Sequence, residues 1–173
     1  MSNSLRVVCL LTLCTLIAFS GTFFTPQTSA KNANCKHVNG HAVWTLIPAT
    51  NDPFGRVLGP STGNLKGAVT TFLTSFTPQP DGSIHATSSD VWVVGAQDIL
   101  AFSGSTTLTP IPSQPLGTVS ESSVLTVVGG TGDFAGATGT LQVTGTGFNI
   151  FGPNAGLGNT YFEVSYEGEI CTN

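Results

Sequence analysis

Past residue 31 no stretch of the chain holds a helical period. Thr, Val, Gly and Ser dominate instead, and turn formers recur about every ten positions, which is the pattern of an all-β domain. Strands are predicted at His41–Ile47, Leu65–Phe76, Ser83–Gly95, Asp98–Thr109, Thr118–Val128, Thr138–Ile150 and Asn159–Ile170. Breakers lie between them at Asn51-Asp52-Pro53, Pro78 to Gly82, Pro110 to Pro115 and Gly152 to Gly158. Two strands alternate cleanly enough to assign faces. Leu141 and Val143 oppose Thr138, Thr140, Gln142, Thr144 and Thr146, and Phe162, Val164, Tyr166 and Ile170 oppose Tyr161, Glu163, Ser165, Glu167 and Glu169. Each such strand has one dry and one wet side, so seven or so of them favour a barrel or a sandwich. No long internal repeat marks a propeller or solenoid.

The first thirty residues follow another pattern. Arg6 precedes an apolar run of 18 residues from Val7 to Phe24, and Thr28-Ser29-Ala30 then offers small residues for cleavage. That order reads as a secretory signal peptide over 1–30, leaving one domain over 31–173 and an extracellular or periplasmic destination. An uncleaved anchor is the competing reading, but the run sits at the short edge of what spans a bilayer and Ser20 and Gly21 interrupt it. A lipoprotein site at Cys14 would want a small residue where Leu13 stands.

Removal of the leader changes the charge and cysteine counts. Net charge passes from −4 to −5 as Arg6 leaves, with nine acids against Lys31, Lys36, Arg56 and Lys66. No basic patch could neutralise phosphates, so nucleic acid is excluded as a partner. No cationic amphipathic stretch suggests a membrane surface once the leader is gone. Cys9 and Cys14 leave too, and the remaining pair, Cys35 and Cys171, is most simply a disulfide in an exported protein. It would close a loop of 136 residues and bring the chain's two ends together, as a closed barrel requires.

The most informative segment is Val127 to Gly145, VVGGTGDFAGATGTLQVTG. Gly130 to Ala135 fits the dinucleotide fingerprint G-x-G-x-x-G/A, but that motif needs a helix next to carry the pyrophosphate. Here a Gly- and Thr-rich strand pattern follows, with no acid about twenty residues on for a ribose. The glycines serve better as positive-φ or close-approach positions in a turn between antiparallel strands, with Phe134 as an apolar plug over a barrel end.

This segment resembles the GGTGxFxxAxG stretch of the dirigent and allene oxide cyclase barrel superfamily, matching at Gly129, Gly130, Thr131, Gly132, Phe134, Ala137 and Gly139. The likeness extends loosely from about Ser83 to the C-terminus, and the FAGATG variant looks closest to small secreted microbial members without an assigned activity. The resemblance implies an all-β fold, an antiparallel closed β-barrel of about eight strands with a central cavity. A last strand ending Glu-Gly-Glu-Ile-Cys, paired with an early cysteine, is also similar to the disulfide arrangement of dirigent proteins. Where those proteins carry Arg after the motif's Ala, this chain has Thr138, and their acidic cavity residues have no clear counterpart. Asp90 and Asp98 lie in the corresponding region and are the catalytic candidates.

No other chemistry stands out. Cys35, His37 and His41 have a metal-like spacing, with His85 as a distant third histidine, but the cysteine belongs with Cys171 and no metal is expected. There is no G-x-S-x-G elbow, no free thiol and no need for a cofactor. Glu163 and Glu167 share a face about 13 Å apart by strand rise, too far for a tight carboxylate pair. Asp90 and Asp98 flank a turn around Gly95, where turn or edge roles are common. Trp44, Trp92, Phe72, Phe102, Phe148, Tyr161 and Phe162 fall on several strands, and most of them read as core or barrel plugs. Trp44, Trp92, Phe102 and Tyr161 are the candidates for lining a pocket for a small apolar ligand.

Three functional classes follow. The first is a secreted barrel holding a small, mainly apolar molecule. The second is a cyclase-, isomerase- or dirigent-like enzyme that works by positioning a reactive intermediate, without metal or nucleotide. The third is an extracellular structural or interaction protein that forms oligomers through an exposed apolar strand face. The sequence leans away from catalysis.

Overall fold

A computed structural model describes residues 34–49, 52–152, 155 and 159–173. The leader read at 1–30 therefore lies outside the described residues. Eight strands form one closed antiparallel barrel in simple sequential order: β1 (Asn34–Ala49), β2 (Asp52–Ser61), β3 (Gly67–Pro78), β4 (Ile84–Val93), β5 (Ile99–Pro110), β6 (Val119–Thr131), β7 (Thr138–Phe148) and β8 (Tyr161–Thr172). Closure leaves no strand edge for another chain to pair with. The barrel is the alternative that the alternation pattern left open against a sandwich.

The seam is the β1–β8 ladder, which runs from Asn34↔Thr172 to Thr45↔Tyr161. Cys35 and Cys171 are direct partners in that ladder and form a disulfide, with their Cα atoms 3.9 Å apart. The faces assigned to β7 and β8 hold. Leu141, Val143, Val164, Tyr166 and Ile170 are buried inside, while Gln142, Thr144, Glu163 and Glu167 are exposed. One strand was not expected. β2 occupies the stretch in which Asn51-Asp52-Pro53 read as a breaker, and it pairs with β1 through Leu46↔Val57 and with β3 through Val57↔Thr71. Gly59 fits this crowded position because a Cβ there would sit 2.9 Å from the Trp44 Cα.

The two ends of the barrel are built differently. One end carries the β2–β3, β4–β5 and β6–β7 connections together with Asn34 and Asn173. It is sealed by Leu65, from a 3-10 turn at Gly63–Leu65, and by an aromatic layer centred on Trp92. Trp92 meets Tyr166 edge-on at 5.0 Å, Phe102 at 5.5 Å and Trp44 at 6.3 Å between ring centroids. Edge-to-face pairing of this kind adds to the stabilisation from burial alone. The Tyr166 hydroxyl donates to the Thr62 carbonyl at 2.6 Å and accepts from the Leu65 N–H at 2.9 Å, so it ties the plug to β8.

The Gly-rich segment is the β6–β7 turn at this sealed end. A short 3-10 turn, Gly132–Phe134, is followed by β7 rather than a helix. Phe134 is partly buried and packs on the core, as expected of a plug. Gly132, Gly136 and Gly139 have positive φ, and Gly130 lies where a Cβ would sit 2.9 Å from the Ile99 carbonyl oxygen. Gly129 departs from the expectation: it has neither a positive φ nor any atom within 4 Å of a Cβ position. No helix among the described residues is long and apolar enough to cross a membrane.

Candidate functional site

Between the aromatic layer and the opposite end lies a partly open interior cavity of about 270 Å³. Trp44 and Val57 bound it toward the sealed end, and Leu46, Phe54, Leu73, Phe76, Ile150 and Phe162 surround it toward the β1–β2, β3–β4 and β7–β8 connections. Its lining comprises twelve apolar residues, five hydroxyl side chains and two carboxylates, Asp90 and Glu121. Strand alternation places those acids inside. On β4 the inward set is Ile84, Ala86, Ser88, Asp90 and Trp92, and on β6 it is Val119, Glu121, Ser123, Leu125 and Val127.

The carboxylates are held by hydroxyls of their own and neighbouring strands. Asp90 accepts hydrogen bonds from Thr71 on β3 and from Ser88 at 2.7 Å. Glu121 accepts from Ser123 at 2.9 Å through Oε1, and the Ser123 oxygen lies 2.8 Å from the Thr106 hydroxyl. Its other oxygen, Oε2, is buried with no hydrogen-bond partner among the described residues. The Trp44 indole N–H is in the same condition. Gly104, on β5, makes room for Asp90, since a Cβ there would stand 3.0 Å from Asp90 Oδ2 and 2.9 Å from Leu125 Cδ2.

Burial governs the electrostatics. Removal from water pushes the Asp90 carboxyl above its ordinary range, against the opposing hydrogen bonds from Thr71 and Ser88. The Glu121 carboxyl is pushed up to about 7, chiefly by burial, with the Ser123 hydrogen bond opposing and the charge of Asp90 adding to the rise. A buried acid raised by desolvation and a like-charged neighbour, within a cavity, is the arrangement expected of a functional site. Lys36, Arg56 and Lys66 are all exposed, with the Arg56 guanidinium 4.8 Å from the Phe72 ring centroid.

The residues expected at a site divide sharply. Asp90 belongs to the cavity floor, which replaces its turn-or-edge reading. Asp98 lies at the sealed end, where its Oδ1 accepts the Asp133 N–H at 2.9 Å and braces the β6–β7 turn. Of the aromatic candidates, Trp44 lines the cavity, whereas Trp92 and Phe102 are fully buried in the aromatic layer outside the lining. Tyr161 is also outside the lining, stacked on Phe148 at 4.7 Å between centroids.

Glu121 was not among the expected site residues. Its signal is its position in phase with Val119, Leu125 and Val127 on a strand that also carries Val124 and Val128 on the other face. Among the described residues, the one close group of metal-type ligands is Cys35, Glu169 and Cys171, whose two sulfurs form the disulfide.

The chain matches no protein-family model, no curated protein and no solved structure. The site's chemistry therefore rests on its own geometry. The disulfide fits an extracellular protein.

Proposed function

We propose that this chain is an exported barrel that holds a small, mainly apolar molecule inside, with its polar end toward Asp90 and Glu121. The carrying observation is the cavity: about 270 Å³, apolar for most of its lining, with Asp90, Glu121 and their hydroxyl partners as its main polar groups. That mixture is typical of small-molecule sites, in which apolar walls supply affinity and a few fixed polar groups supply orientation. An apolar cavity of about 150 Å³ holds benzene, so this one suits about eleven non-hydrogen atoms by proportion. The likeness of Gly129–Gly139 to the dirigent and allene oxide cyclase barrels and the leader-like residues 1–30 support the same reading.

Native mass spectrometry of the protein purified from its own secretions tests it. A retained molecule is expected in the natural chain and not in Ala86→Phe, which puts a ring into the cavity from a buried lining position. A natural chain with no retained molecule, and no uptake of added indole or 2-phenylethanol, overturns the reading.

A cyclase- or isomerase-like enzyme is the second reading, and one observation favours it. A carboxyl that titrates near 7 can both donate and accept a proton at neutral pH, and Glu121 is such a group beside a second acid. On this reading Glu121 is the proton-transfer residue, and Glu121→Gln abolishes turnover while leaving retention of the bound molecule intact.

A further inference from the structure

We propose that the cavity is built for an organic cation, a compact primary amine whose ammonium sits against Glu121 and Asp90 while its apolar body fills the space below the mouth. The inference takes the small-molecule reading as its premise and adds the chemical class of the ligand.

The argument is an inventory of hydrogen-bond capacity. Five hydroxyls line the cavity, and the geometry commits the proton of each. Thr71 and Ser88 donate to Asp90, Ser123 donates to Glu121, and Thr160 donates to the Asn149 carbonyl at 2.7 Å. With the Ser123 proton on Glu121, the Thr106–Ser123 contact requires Thr106 to be the donor. The lining therefore offers a ligand hydroxyl lone pairs, carboxylate oxygens and one donor, the Trp44 indole N–H. A ligand must bring its own donors, and Glu121 Oε2 is a buried acceptor with nothing to accept. An ammonium supplies three donors.

Charge points the same way. The lining holds two acids and no Lys, Arg or His. The titratable group facing Glu121 is Asp90 on β4; the lining residues from β1, β2, β3, β5, β7 and β8 are uncharged. Two ionised carboxylates sharing an apolar space repel and are poorly solvated, and an entering cation relieves both penalties. An anion would add to them. A neutral hydrogen-bond acceptor, such as a ketone, would find the Trp44 indole N–H as its donor, and at the carboxylates it would need Glu121 protonated and would bind there more weakly as pH rises.

Isothermal titration of 2-phenylethylamine and 2-phenylethanol, equal in non-hydrogen atoms, separates these cases. The amine stays protonated to about pH 10, so between pH 5 and 8 only the protein changes charge. At pH 8 the amine should bind about tenfold or more tighter than the alcohol, the usual margin of a charge-assisted over a neutral hydrogen bond. That margin should shrink steadily toward pH 5 as Glu121 takes up its proton. Glu121→Gln should weaken the amine about tenfold and leave the alcohol unchanged. Equal binding of the two compounds at pH 8, or an amine preference independent of pH, overturns the cation assignment and leaves the cavity reading standing. Failure of both compounds to bind at millimolar concentration overturns the cavity reading with it. The pH series on the natural chain decides the matter even if the variant does not fold.

Discussion

Replacing Glu121 with Gln should stabilise the protein at neutral and alkaline pH and leave it unchanged in acid. In the folded chain the carboxyl is held at about 7, against 4.5 for the free group. Below about pH 4.5 folded and unfolded states both hold the proton, and Glu121 contributes no pH dependence. Between 4.5 and about 7 the folded protein retains a proton that the unfolded chain has released, so stability falls as pH rises. Above about 7 the loss is complete. At 1.36 kcal/mol for each pH unit, it amounts to about 3 kcal/mol. Gln escapes that penalty and can still accept the Ser123 hydroxyl. With an unfolding entropy of about 2.1 cal/mol/K per residue over roughly 140 residues, 3 kcal/mol corresponds to a rise of about 10 °C in Tm. Urea unfolding of both proteins at pH 4, 5, 6, 7 and 8 measures the difference directly. It should grow from near zero at pH 4 to about 3 kcal/mol at pH 8. Asp90, also raised by burial, remains in both proteins and largely cancels. Parallel curves across that range, or a Gln variant weaker at pH 8, would refute the claim that burial raises this carboxyl.

Two other features carry their own expectations. Tyr166→Phe removes the hydroxyl shared by the Thr62 carbonyl and the Leu65 N–H, which should cost about 1–3 kcal/mol in urea unfolding because buried partners lose their hydrogen bond; a change under about 0.5 kcal/mol would show that the plug does not depend on it. Cys35→Ser with Cys171→Ser opens a loop of 136 residues, for which chain entropy gives at most about 5 kcal/mol. Hydrogen exchange should then rise first in the N-terminal part of β1, while the Val127–Gly145 hairpin stays protected; uniform exchange across both would sink that ordering.

The parts of this fold that were legible in the chain are those where one face is apolar and the other polar. β7 and β8 could be assigned residue by residue because Leu141 and Val143 alternate with Thr and Gln, and Val164 and Tyr166 with Glu and Ser. β2 was hidden because Pro53, Gly55, Gly59 and Pro60 weigh against a strand locally, while pairing with both β1 and β3 holds it in place. The site was half hidden for a related reason. Both faces of β6 carry valines, so the alternation could not say that Glu121 points inward, and the inward run Ser88 and Asp90 on β4 looks like a solvated face. Phase alone also could not separate cavity from plug. Trp44 and Trp92 both point inward, and only their level along the barrel puts one on the cavity and the other in the seal.

The disulfide also fixes which way the molecule can be handled. Because Cys35 and Cys171 lie at the sealed end with Asn34 and Asn173 beside them, a tether attached at Asn34 or Asn173 starts on the side away from the cavity. A surface-immobilised or tandem-linked version would present every mouth to solution, and the loops around the mouth could be exchanged without disturbing the point of attachment.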